Sequence, residues 1–122
     1  MDSGIDTGDI IAQKIVPADF TDTGKSLYHK LEGAALELFQ ENWPKIKNGT
    51  HQRTKQPKGG TFHRKMGVEN IDRIDLNQNY CARDLINILR ARTFPPYEGA
   101  FIEIEGRKIF LRLELIEYKR LP

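Results

Sequence analysis

The clearest hydrophobic periodicity lies between Thr23 and Gly49. Leu27, Leu31, Ala35, Leu38, Phe39 and Ile46 recur at helical spacing, with Lys30 and Glu37 on the other side. The spacing predicts one long amphipathic helix. Asp22 or Thr23 is the expected N-cap, because either side-chain oxygen can accept an orphan backbone N–H. Pro44 should kink the helix or start its last turn, and Gly49 should end it. Upstream, IIAQKIV (Ile10 to Val16) is a short apolar run rich in β-branched residues. It predicts a partly buried strand stopped by Pro17.

Beyond the middle of the chain, ARDLINILRAR (Ala82 to Arg92) predicts a second helix. Leu85, Ile88 and Leu89 form its apolar face, Ile86 flanks it, and Asn79 is the expected cap. Cys81, beside the helix start, is expected to be a small buried or half-buried residue. Pro95-Pro96 breaks the helix and makes a rigid connector. The period then changes to two. Ala100, Ile102 and Ile104 alternate with Glu103 and Glu105, and Ile109, Leu111, Leu113 and Leu115 alternate with Phe110, Arg112 and Glu114. This predicts a β-hairpin closed by a tight glycine turn in EGRK.

Composition narrows the setting. The 122 residues suffice for one compact domain, and 39% hydrophobic with 30% charged residues is ordinary globular usage. A net charge of +2 implies no polyanionic partner by itself. The lone Cys81 excludes an intrachain disulfide and any Cys-x-x-Cys metal pattern, so no metal site is expected. No apolar run is long enough to span a bilayer, and the acidic start lacks signal-peptide features. A cytoplasmic, membrane-free protein is expected.

Charge is asymmetric in one place. Asn42 to Val68 contains no acid and seven bases: Lys45, Lys47, Arg53, Lys55, Lys58, Arg64 and Lys65. Pro57 and Gly59-Gly60 make much of it irregular. Such a segment can track phosphates, or it can be a solvated loop balancing the acidic N-terminal stretch. Three parts are expected: 1–50 (loop, strand, helix), a basic connector over 51–68, and a helix–hairpin subdomain over 69–122. One strand and one helix cannot bury both their apolar faces alone, so 1–50 reads as the end of a larger α/β sheet.

The opening MDSGIDTGDI contains Asp-x-Gly-x-Asp-x-Gly at Asp2, Gly4, Asp6 and Gly8. A strand, Asp22-Thr23 and Ser26-Leu27 follow it. Further along come Gln56, Thr61-Phe62, Arg64-Lys65, Ile74-Asp75, Arg90-Ala91, Pro96 and Gly99-Ala100-Phe101. Taken in order, these residues resemble the 10-formyltetrahydrofolate-dependent formyltransferases, which include methionyl-tRNA formyltransferase and the sugar N-formyltransferases. The resemblance implies the end of a Rossmann-like sheet followed by a small C-terminal helix and hairpin.

It also implies a site. In the family an amine attacks a formyl carbon carried by the folate, and a carboxylate beside the amine takes up the developing positive charge. The resemblance puts Asp6 in that role, with Asp2, Gly4, Ile5 and Gly8 around the cofactor 10-formyltetrahydrofolate. Lys58, Arg64 and Lys65 are the candidates for contact with the acceptor or its phosphates. The family's Asn-x-His pair, which polarises the formyl oxygen, has no counterpart here. His29, His51 and His63 all follow Asp6 and are expected to be structural or at the surface. The chain is thus expected to be the C-terminal portion of a longer pattern with Met1 internal to it. It should be inactive alone and need an N-terminal half in cis or in trans.

Asp75-Leu76, where methionyl-tRNA enzymes tend to have Asp-Trp, and the short C-terminal part tilt the expected acceptor toward a nucleotide-linked amino sugar and away from charged tRNA. A rival expectation is a non-enzymatic module that binds nucleic acid or protein through the basic connector. Self-association is expected through surface left open by an incomplete sheet.

Overall fold

The computed structural model describes residues 4–61, 64–65 and 67–119. The elements are α1 (Gly24–Lys47), α2 (Gly67–Asp72), α3 (Ala82–Arg92), β1 (Phe101–Ile104) and β2 (Arg107–Phe110). This is a mixed fold of helices and a small two-stranded antiparallel sheet. The chain forms two compact units. One is Met1–Pro17 with His29–Phe62, and the other is Ala18–Tyr28 with His63–Pro122. Asp2 and His63 lie outside the described residues.

In the first unit, α1 carries the predicted periodicity, and Pro44 sits inside it. The end of the helix explains itself. Gly49 takes φ 70°, the Gly49 N–H donates to the Ile46 carbonyl at 3.1 Å, and the Thr50 N–H donates to the Lys45 carbonyl at 2.8 Å. That pair of bonds closes the last carbonyls in a Schellman arrangement, which a left-handed glycine makes cheap. The apolar face is only partly covered: Leu27, Leu38 and Ile46 are half-buried, and no residue of α1 is fully buried. Phe39 and Trp43, one turn apart, stack at 5.4 Å between centroids while half-exposed.

The predicted strand over Ile10 to Val16 is not formed. Ile10 alone makes an isolated antiparallel bridge with Thr54, and the rest of the run forms no regular secondary structure. A strand needs neighbours to satisfy its backbone groups, and here only one residue finds a partner. Side chains anchor the segment instead. Lys14 Nζ reaches Glu37 at 2.7 Å and Glu41 at 3.2 Å, two carboxylates four residues apart on one helix face. These hydrogen bonds hold the Lys14 ammonium above its ordinary pKa, and the bond from Lys14 holds the Glu37 carboxyl below its own.

In the second unit the N-terminus of α1 is closed by a capping box at Thr23. The Ser26 N–H donates to Thr23 Oγ1 at 3.4 Å and the Thr23 N–H donates to Ser26 Oγ at 2.9 Å. Buried Asp22 reinforces it, accepting from the Asp19 N–H and the Ser26 hydroxyl. Arg90 then ties this turn to α3. Its guanidinium donates to the Asp19 and Asp22 carbonyls, each at 3.0 Å, and lies 4.5 Å from the centre of the Phe20 ring.

Helix α3 runs over the predicted residues. Its cap differs from expectation. The N-cap is Cys81, in extended conformation, with no side-chain capping bond, and Asn79 plays no part in it. The Cys81 carbonyl already accepts from the Leu85 N–H, which fixes the helix start two residues past Asn79. Cys81 is exposed rather than buried. The six-residue helix α2 was not foreseen. Asp72 at its end forms a two-pronged ion pair with Arg92, through Nε to Oδ1 and through Nη2 to Oδ2.

The hairpin has the expected faces. Phe101 pairs with Phe110, Ile102 with Ile109, Glu103 with Lys108 and Ile104 with Arg107. Glu105 and Gly106 make the turn with φ 50° and 72°, the type I′ geometry whose twist suits a two-residue hairpin loop. Phe101, at the start of the hairpin, joins Ala100 and Ile74 in the core, whereas Glu103, Lys108 and Phe110 on its face are exposed and Ile102 and Ile109 on the other face are half-buried. Lys108 lies 4.1 Å from the Phe101 ring centre. The second strand ends sooner than the alternation suggests. After Phe110 the Leu111 N–H donates to the Ala100 carbonyl, and the Leu113 N–H turns to the Thr93 hydroxyl instead of a strand partner.

Candidate functional site

Within the first unit the acidic loop and part of the basic connector come together. Ile10 and Thr54 exchange both backbone hydrogen bonds, at 2.7 and 2.8 Å. Asp9 and Arg53 form an exposed ion pair at 3.7 Å. One turn of side chain further, Gln56 Nε2 donates to the Asp6 carbonyl at 3.1 Å and to the Gly8 carbonyl at 2.6 Å. Three consecutive attachments from 53–56 therefore hold the loop over 6–10.

Asp6 itself sits at φ 54°, in the left-handed region. Aspartate tolerates that region better than most residues, at some cost in energy. Gly4 makes room for the Thr7 side chain: a Cβ there would stand 2.2 Å from the Thr7 hydroxyl oxygen, which would have to turn away. At Gly8 a Cβ would meet nothing within 4 Å. The left-handed backbone thus falls on the acid and not on its glycines. Asp6 and Ile5 are both exposed, Ile5 at 91%. The loop presents a carboxylate and an adjacent apolar side chain on a turn tied from behind. This suits a flat, partly apolar cofactor beside a polar reacting group. Asp2, the other acid of the motif, lies outside the described residues.

The cationic candidates divide between the units. Lys58 is exposed in the first, and Arg64 and Lys65 are exposed in the second. The Arg64 and Lys65 carbonyls accept the Gly67 and Val68 N–H groups and so start α2. Among the histidines, His29 is exposed and 3.2 Å from Glu32. His51 has a buried Nδ1 with no hydrogen-bond partner and lines a cavity of about 370 Å³ with Ile11, Asn42, Lys45, Thr50 and Gln52. Among the described residues no group of three or more His, Cys, Asp or Glu side chains could hold a metal ion. No described helix is long and apolar enough to cross a membrane.

Sequence reasoning picked out Gln56 only as a landmark and missed its hydrogen bonds to the loop. A single bridging pair leaves no alternating pattern to read, so nothing in the local sequence announced that 53–56 supports Asp6.

Residues 68–117 match the family model of the N-formyltransferase dimerization C-terminal domain. The chain carries a formyltransferase C-terminal domain. Over most of its length it is homologous to sugar N-formyltransferases and methionyl-tRNA formyltransferases. It is 31% identical over 116 residues to a dTDP-4-amino-4,6-dideoxyglucose formyltransferase of Mycobacterium tuberculosis, covering 94% of this chain and 50% of that protein. It is 29% identical over 109 residues to a methionyl-tRNA formyltransferase of Lachnospira eligens, covering 89% of this chain and 33% of that one.

Solved structures agree. A 4-N formyltransferase from Francisella tularensis superimposes with a TM-score of 0.90 at 34% identity, over 97% of this chain and 49% of that one. An N-formyltransferase from Helicobacter canadensis, in complex with folinic acid and dTDP-3-aminofucose, superimposes with a TM-score of 0.71 at 31% identity, over 89% of this chain and 39% of that one. The formyltransferase relationship thus spans both units, while this chain covers half or less of each of these relatives.

Proposed function

We propose that this chain supplies the carboxylate side of an N-formyltransferase site that moves a formyl group from 10-formyltetrahydrofolate to the amine of a nucleotide-linked amino sugar. The observation that carries the reading is the exposed Asp6 on a left-handed turn tied by Gln56. The folate, when bound, supplies the activated formyl carbon. Asp6 holds the attacking amine and takes its proton. Gly4 keeps the turn tight, and Ile5 and Gly8 leave an open approach beside the acid. Two relatives whose names include a dTDP-linked amino sugar support the acceptor class.

Polarising the formyl oxygen requires donors that no Asn-x-His in this sequence provides. In this reading a formyltransferase N-terminal half, in cis or in trans, supplies them, and the 122 residues alone turn over nothing. The test is formyl transfer by the purified chain, with and without the N-terminal half of the Francisella relative. The assay uses 10-formyltetrahydrofolate and a dTDP-linked amino sugar, with methionyl-tRNA as the competing acceptor. Turnover only in the mixture, and only with the sugar, is expected. Turnover by the chain alone, or with methionyl-tRNA in place of the sugar, contradicts the reading.

Self-association through the hairpin belongs to the same proposal. The matched domain is described as a dimerization domain, and the Ile102, Ile104 and Ile109 side of the hairpin stays partly or fully exposed, Ile104 at 42%. Light scattering should show a dimer that Ile104→Glu converts to monomer. A monomeric wild type at high concentration contradicts it. The rival role for the connector, a continuous phosphate track, fits less well. Arg53 is paired with Asp9, and Thr54 and Gln56 are engaged with the acidic loop.

A further inference from the structure

We propose that Gln56 is a positioning residue for Asp6, setting the direction of the carboxylate through the backbone on both sides of it. The inference rests on the formyl-transfer reading of Asp6. Its geometric basis is independent of that reading. One amide nitrogen donates to the carbonyls of Asp6 and Gly8, which bracket Thr7. An NH₂ group has two protons, so it can satisfy both acceptors at once. A carbonyl two residues on is thereby drawn to the same point as that of Asp6, which closes the turn and keeps Asp6 in its left-handed conformation. Gln56 is held in turn by the Ile10–Thr54 bridge two residues before it. The arrangement fixes a backbone conformation that Asp6 would not favour alone. A misplacement of about 1 Å in a reacting group can cost about a hundredfold in rate.

The donor function can be separated from packing by two substitutions. Gln56→Met keeps the length and removes the donor. Gln56→Lys restores a donor with three protons on a longer stem. Amide hydrogen exchange in the ligand-free chain reads the attachment of the loop to 54–56 through the Ile10 N–H, two residues past the turn and bonded to Thr54. For Gln56→Met we expect exchange at Ile10 to accelerate about tenfold while α3 amides stay unchanged, and for Gln56→Lys a return toward wild type. In the reconstituted enzyme, kcat should fall tenfold or more for Gln56→Met, with KM for the amino sugar within about twofold.

Unchanged exchange in Gln56→Met overturns the proposal, and so does accelerated exchange with undiminished kcat. Full turnover by Asp6→Asn, together with accelerated exchange in Gln56→Met, marks the different case in which the reading of Asp6 fails while the Gln56 tie stands. The catalytic meaning given to Gln56 falls with it.

Discussion

Ile10 and Thr54 exchange both backbone hydrogen bonds, N–H to carbonyl oxygen at 2.7 Å one way and 2.8 Å the other. Together with the Arg53–Asp9 ion pair and the Gln56 bonds, this pair joins the acidic loop to the basic connector. A proline at Thr54 removes one of the two donors. Thr54→Pro should weaken the local structure by about 1 kcal/mol or more, seen as faster exchange at the Ile10 amide with α3 unaffected. An unaltered Ile10 amide would show that the bridge holds nothing in place.

Gly24 and Gly33 lie in the same helix and predict opposite signs. A Cβ at Gly24 would stand 2.5 Å from the Ala91 carbonyl oxygen, a backbone atom that cannot step aside. Gly24→Ala should cost about 1–3 kcal/mol. At Gly33 a Cβ meets nothing within 4 Å, so Gly33→Ala should add about 0.5–1 kcal/mol through helix propensity. Thermal unfolding of the two variants decides the matter, and equal shifts would contradict the close approach of Gly24 to the Ala91 carbonyl.

The hairpin turn can be improved. Glu105 occupies a left-handed position that its side chain does not favour. Glu105→Asn creates Asn-Gly, the pair best suited to a type I′ turn, and should raise stability by roughly 0.5–1 kcal/mol. A lower melting temperature would argue against the turn type.

The Lys14–Glu37 pair gives a pH dependence of known sign. Glu37 is held below its ordinary pKa, so its contribution is complete above the unfolded value near 4.5 and is lost as pH falls through the lower, folded value. Lys14 is held above its ordinary value near 10.5, so its contribution is complete below that and is lost as pH rises through the raised one. An NMR titration of the Glu37 carboxyl should show its midpoint move up in Lys14→Met. An unmoved midpoint would mean that the two side chains do not meet in solution.

Helical spacing made α1 and α3 legible, and alternation made the hairpin legible, because in each case many residues repeat one signal. The alternation could not say which hairpin face is inside. Phe101 is buried beside Ile74, whose N–H donates to the Phe101 carbonyl from 27 positions away, and that contact leaves no mark on the alternation. The Ile10 to Val16 run has strand composition, and composition does not supply a neighbour. Only Ile10 finds one. Helix α2 is too short to show a period. At the candidate site, Asp6 was singled out by the family resemblance of the whole pattern, whereas Gln56, which bonds the Asp6 and Gly8 carbonyls, comes from about fifty positions away and acts on main-chain groups, which leave no trace in side-chain pattern.

The most direct test is the rate of formyl transfer to a dTDP-linked amino sugar by Asp6→Asn beside wild type, with the N-terminal half supplied to both. A loss of about 10²–10⁴-fold in kcat is expected for the variant, the range a positioned acid or base contributes. Turnover by Asp6→Asn within a few-fold of wild type would contradict it.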